Sequence, residues 1–97
     1  MIRRDADRLS VEGPVTLVTL PGLLEAGARE IQAGARSVDL RGVTELDSAG
    51  VALLLEWRRL ALARQTDLIF DGLGPRLESL ASLYGVDDLL PRPAGAG

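Results

Sequence analysis

Between Arg8 and Val15 the chain sets Leu9 and Val11 against Ser10 and Glu12, the period of a half-buried strand. Met1 to Arg4 is expected to pair with it across Asp5-Ala6-Asp7 as a hairpin. From Leu20 the period changes. Leu20, Leu23, Leu24, Ala28 and Ile31 share one helical face, Pro21 suits a first turn and Gly34 suits an end, which predicts a helix over Leu20 to Ala33. Ser37 to Leu40 then reads as a short strand, and Arg41 to Leu46 as a connection that turns at Gly42. A long apolar segment follows Asp47 and Ser48 and ends near Arg64, the best supported helix of the chain. Leu68, Ile69 and Phe70 form a compact buried strand, Asp71-Gly72-Leu73-Gly74 a turn, and Pro75 opens a third helix through Leu77, Leu80, Ala81 and Tyr84. Val86, Leu89 and Leu90 add a last apolar patch. Residues 1–90 are therefore expected to form one domain and residues 91–97 a disordered C-terminal tail. Strands separated by long helices imply right-handed parallel crossovers, so the expected class is α/β, a small sheet with helices packed against it.

The second helix carries more apolar surface than a sheet requires. At about 100° per residue, Gly50, Leu54, Trp57 and Ala61 fall in one sector, Val51, Leu55 and Leu62 in a second, and Leu53 with Leu60 in a third. Arg58 sits between the first two, and only Glu56 and Arg59 make a broad polar sector. A helix on one sheet face needs a stripe somewhat over 100° wide, and this one covers about twice that. The surplus must be covered by the flanking helices or by a partner. Trp57 shares the sector of Leu54 and Ala61 and is expected in the core, whereas Arg58 and Arg59 read as a solvated face from which Arg58 can reach a partner carboxylate.

Composition narrows the chemistry. The 97 residues hold one Phe, one Tyr, one Trp, no Cys and no His. Leu, Ile, Val and Phe make up roughly a third of the chain, well above the level of about 20% below which chains tend to stay disordered. A folded aliphatic core is expected, without thiol or imidazole nucleophiles, bases or metal ligands, and without disulfides. The formal net charge is −3, spread evenly, and every basic residue is Arg, with Arg3-Arg4 and Arg58-Arg59 the only adjacent pairs. No phosphate-tracking stripe results, so nucleic acid is not an expected partner. The apolar stretch Gly50 to Leu55, even with Ala49 before it, is far short of the roughly 20 residues of a span, and no apolar signal core opens the chain. Neither membrane insertion nor export is expected, and the location predicted is cytoplasmic.

At the start of the second helix, Asp47 can accept hydrogen bonds from free backbone N–H groups and favours the positive end of the helix dipole, and Ser48 can share the capping role. The run Asp47-Ser48-Ala49-Gly50-Val51-Ala52-Leu53-Leu54-Leu55, after Val38-Asp39-Leu40 and a six-residue connection, resembles the STAS domain of sulphate-transporter cytoplasmic domains and anti-sigma-factor antagonists. Its features are a strand ending in Asp-Leu, a Gly-Val-Thr connection, and Asp-Ser-x-Gly opening a Leu-rich helix. Leu80-Ala81-Ser82-Leu83-Tyr84 and the later Leu89-Leu90-Pro91 make the chain similar to one subgroup, the small STAS subunits of phospholipid ABC transporters in Gram-negative inner membranes. The resemblance implies a mostly parallel four- to five-stranded sheet flanked by three to four helices, with the start of the second helix open to a partner.

That partner is implied to be the transporter's ATPase subunit, within a complex that also holds permease and substrate-binding subunits. The function implied is a non-catalytic subunit that stabilises or activates the ATPase during maintenance of outer-membrane lipid asymmetry, held through its partner on the cytoplasmic face of the inner membrane. Ser48 takes the interface position, supported by Asp47, Ala49 and Gly50, with Arg58 as a further contact. The alternative is an anti-sigma-factor antagonist regulated by serine phosphorylation. There the motif is usually Asp-Ser-Ser-Gly with the second Ser as the kinase target, and this chain has Ala49 at that position. No enzyme and no cofactor are expected. Asp47 and Ser48 have no imidazole or Lys base, and Gly72-Leu73-Gly74 lacks the third glycine or Lys of a phosphate-binding loop.

Overall fold

The computed structural model describes residues 1–93. Its elements run β1 (Ile2–Asp5), β2 (Arg8–Val15), α1 (Leu20–Gln32), β3 (Ser37–Leu46), α2 (Ala49–Ala63), β4 (Ile69–Asp71) and α3 (Gly74–Leu83), closed by a 3-10 turn over Asp87–Leu89. The four strands form one sheet in the order β1-β2-β3-β4. β1 and β2 make the expected antiparallel hairpin, with Ile2 opposite Val11 and Arg4 opposite Leu9. β2, β3 and β4 are parallel neighbours, each joined to the next through a helix. The α/β class read from the sequence is the class observed.

Alternation decides which face of the sheet is covered. Leu9, Val11, Val38, Leu40 and Phe70 are buried in one core with Leu23 and Ile31 of α1, Leu53, Leu54 and Trp57 of α2, and Leu77 and Ala81 of α3. Arg8, Ser10, Glu12, Asp39 and Asp71 project from the opposite face. The fold is thus two layers, with helices on one side of the sheet and polar side chains on the other.

One expectation is corrected. Arg41 to Leu46 is a continuation of β3 rather than a connection, and it pairs with Glu12 to Val15. The register slips between Ser10 and Glu12 and again between Gly13 and Pro14, so ten residues of β3 lie beside eight of β2. Such bulges break the apolar alternation on which a strand reading depends. Gly42 sits within this stretch because a Cβ there would lie 3.0 Å from the carbonyl oxygen of Val11, and it makes no tight turn.

Close packing of α1 on α2 rests on Gly27. A Cβ at that position would collide with the indole of Trp57, which is fully buried. The indole Nε1 has no hydrogen-bond partner among the described residues, so Trp57 serves the core through its area. At the far side of the sheet, Phe70 donates its backbone N–H to the carbonyl of Pro91 at 2.8 Å, and Arg92 pairs with Glu78 at 3.0 Å. Of the tail expected over 91–97, residues 94–97 lie outside the described residues.

Candidate partner-binding surface

α2 begins where β3 ends, at the edge of the helix layer. Asp47 donates its backbone N–H to the Val15 carbonyl, which ties the chain to the end of β2. Its carboxylate then accepts two backbone N–H groups from different segments. Oδ1 takes Ala49 at 2.8 Å, and Oδ2 takes Leu17 of the β2–α1 turn at 3.1 Å. The capping expected of Asp47 is thus present, with one bond spent outside its own helix.

Ser48 differs from the expectation. It makes no side-chain capping bond, because its backbone is already helical (φ −61°, ψ −19°) and turns the hydroxyl away from the first free N–H groups. Ser48 is exposed, whereas Ala49 and Gly50 on either side of the next turn are buried. A Cβ on Gly50 would collide with Leu46, so this glycine lets α2 seat on the end of β3. Asp47, Ala49 and Gly50 therefore position the helix start, and Ser48 is the member of the motif that faces outward.

Around Ser48 the surface is apolar. One shallow groove of about 330 Å³ lies between the β2–α1 turn and α2, lined by Leu17, Leu20, Asp47, Ser48, Ala49 and Ala52. A second of about 360 Å³ lies on the other side, lined by Ser48, Val51, Ala52, Leu55, Tyr84 and Val86. Ser48 and Ala52 form the ridge between them, one helical turn apart. Tyr84 was expected within the third helix. It lies past the last helical residue, is 55% exposed and lines the second groove. The surplus of α2 is divided: Val51, Leu53, Leu54, Trp57 and Ala61 are buried beneath α1 and α3, while Ala52 and Leu62 stay exposed and Leu55 is half-buried. Charges on the outward side are paired, since Arg59 donates to both carboxylate oxygens of Glu56 at 2.7 and 2.6 Å and holds that carboxyl below its usual range.

Arg58 is not brought to this surface. It lies ten residues beyond Ser48, roughly 15 Å along the helix, and lines neither groove. Its Nε is buried and has no hydrogen-bond partner among the described residues. Sequence reasoning did not place at this surface Leu17, its exposed neighbour Val18, which lines neither groove, or Val86. The first two offered a signal, two apolar residues that neither the strand period before them nor the helix period after them uses.

The opposite sheet face has another character. Arg8 bridges Asp39 at 3.1 Å and Asp71 at 3.2 Å, and Arg41 reaches Asp71 at 3.1 Å and Asp39 at 3.5 Å. Burial of Asp39 opposes its charge, but the backbone N–H of Arg41 and the guanidinium of Arg8 outweigh this and hold the carboxyl below the usual carboxylate range. Two carboxylates and two guanidiniums neutralise one another. Gly72-Leu73-Gly74 is the turn from β4 into α3. No described helix is long and apolar enough to cross a membrane.

A half-covered, mostly parallel sheet with the start of α2 presented at one end defines a STAS-type α/β domain. The fold matches that of the anti-sigma factor antagonist SpoIIAA in its unphosphorylated form, with a TM-score of 0.72 over 98% of this chain and 88% of that one, at 15% identity. The family model described as "Mlab, STAS domain" matches residues 2–91, and the chain belongs to that family. It is 31% identical over 87 residues to the intermembrane phospholipid transport system binding protein MlaB of Escherichia coli (strain K12), covering 89% of each chain, and equally to the protein of that name from Shigella flexneri.

Proposed function

We propose that this protein is a non-catalytic subunit of an inner-membrane phospholipid transport system, and that it binds the system's ATPase subunit, an MlaF-like protein, to stabilise or activate it. The observation that carries the reading is the exposed, uncharged ridge of Ser48 and Ala52 between two apolar grooves, at the end of the fold where Asp47 fixes the helix start. The likeness over 89% of the chain to proteins named for intermembrane phospholipid transport supplies the system. Activation would follow from differential affinity, since a bound subunit raises ATPase activity only by favouring the competent arrangement of its partner. The protein would sit on the cytoplasmic face of the membrane through that contact. Arg58 joins the contact if the footprint runs some 15 Å along α2, as an interface of about 800 Å² per partner does.

Replacing Ser48 with Arg puts a long cation on the ridge without disturbing a hydrogen bond or a buried atom. Co-purification with the ATPase subunit and its stimulation should both be lost, with an unchanged circular dichroism spectrum. Retained binding would remove Ser48 from the interface.

The second reading, a phosphorylated anti-sigma-factor antagonist, draws on the exposed Ser48 hydroxyl at a helix start. Against it stands Ala49, buried and without a hydroxyl at the position where such antagonists carry their target. Incubation with a serine kinase and ATP, read by mass spectrometry, distinguishes the two. A phosphate on Ser48 would support the second.

A further inference from the structure

The turn between β2 and α1 exposes two aliphatic side chains that the fold does not use. Leu17 is 72% and Val18 is 89% exposed, the latter more than any other large hydrophobic residue described. Floppy surface residues would need no explanation. This turn is held rigidly. Thr16 accepts the backbone N–H groups of Thr19 and Leu20 at 3.1 and 2.9 Å, Thr19 Oγ1 accepts the N–H of Thr16 at 2.9 Å, and the same hydroxyl donates to the carbonyl of Pro14 at 3.0 Å. The N–H of Leu17 itself is donated to Asp47 Oδ2, the carboxylate that also caps α2. One side chain therefore fixes an apolar turn at a set distance from Ser48, and the groove between them is lined from both sides.

We infer that the Leu17–Val18 turn is a second arm of the partner-binding surface, which inserts into an apolar depression on the same ATPase subunit, and that Asp47 is the positioning residue that holds this arm beside Ser48. The inference rests on the reading given under Proposed function. Three features identify a protein cavity as the occupant. No charged residue occurs from Pro14 to Leu24, so the arm itself offers no ionic group to a polar site. The arm is continuous with the Ser48 ridge through their shared groove. The charges lining the adjoining groove are the carboxylates of Glu45 and Asp47 against the single guanidinium of Arg76, and the protein carries a net charge of −3, an acidic balance that opposes insertion into an anionic lipid surface. A turn already fixed in its bound shape loses little freedom on docking, which is how two small side chains can contribute substantially.

The test titrates the purified cognate ATPase subunit with wild-type protein and three variants, each checked by circular dichroism. Val18→Asp should weaken binding at least tenfold, and the milder Val18→Thr, which keeps the shape at an exposed site, about threefold. Asp47→Asn keeps only one carbonyl acceptor, so the Leu17 amide should exchange with solvent faster while Ala49 stays protected, and binding should weaken by an intermediate factor. Wild-type affinity for both Val18 variants alongside loss in Ser48→Arg would overturn the arm and leave the proposed function standing. Wild-type affinity in all variants including Ser48→Arg would remove the underlying reading as well. Co-sedimentation with vesicles of phosphatidylethanolamine and phosphatidylglycerol supplies the remaining control. Wild-type binding to vesicles that Val18→Asp abolishes, with ATPase binding intact, would assign the arm to lipid and overturn the inference.

Discussion

Two exposed regions of this small domain are built on opposite rules. On the open sheet face, charges come in both signs and are matched within the chain, Arg8 and Arg41 against Asp39 and Asp71. At the start of α2 the surface is mostly apolar, and apart from Asp47, whose carboxylate is held by backbone N–H groups, its exposed side chains form no ion pair among the described residues. A surface whose groups satisfy one another gains little from a partner, because any contact must first break what is already made. A surface of exposed Leu, Val, Ala and Tyr gains by burial, at about 25 cal/mol per Å² of apolar area. The difference supports the proposed binding end without reference to any motif.

The largest effect on this contrast should come from beneath it. Trp57 of α2 is fully buried, packed against Gly27 of α1. Trp57→Ala should destabilise the domain by about 3–5 kcal/mol. In a chain of this size that lowers Tm by roughly 15 °C or more, measurable by thermal denaturation. Trp57→Phe should cost much less, since among the described residues the indole N–H makes no hydrogen bond that Phe would lose. A large loss in both variants would show that the indole N–H has a partner in solution.

Next comes a change confined to the apolar end. Ala52 is exposed on the ridge one turn after Ser48, and it touches both grooves. Ala52→Glu should alter stability by no more than about 0.5 kcal/mol, as surface substitutions do. It should weaken binding to the ATPase subunit tenfold or more, because a charge would be desolvated in an apolar contact. Unchanged affinity would mean that the two grooves are not the interface.

The sequence made the sheet and the inner face of α2 readable, because alternation and helical period report burial directly. Arg8–Val15 and the end of α2 near residue 63 follow from that periodicity. The second half of β3 was hidden by its two bulges, which shift residues out of step and place Gly42 where a turn would be expected. The candidate site was half legible. Asp-Ser-x-Gly marks the place, but only the structure separates Ser48, which faces out, from Ala49 and Gly50, which seat the helix. Arg58 looked close to the site on a helical projection because a projection discards the distance along the axis. Leu17, Val18 and Tyr84 were hard to see for a different reason: residues in turns obey no period, so their exposure is set by tertiary packing.

The smallest effect should come from the charged face, and its pH dependence tests whether that face is self-contained. Arg8→Gln removes the guanidinium shared by Asp39 and Asp71 on an exposed surface, so stability should fall by less than about 1 kcal/mol and partner affinity should not change. The folded protein holds the Asp39 carboxyl below its ordinary range, so the unfolded chain binds the proton more readily. Stability from this group is therefore present above the ordinary carboxylate value near pH 4 and is lost as the pH falls through the lower, folded value. Tm measured from pH 7 down to about pH 2.5 should show the wild type and Arg8→Gln converging below roughly pH 4, as protonated Asp39 ceases to distinguish them. A constant difference between the two curves would mean that Arg8 stabilises the sheet by packing its stem across the strands and not by charge, and the self-neutralised character of that face would have to be given up.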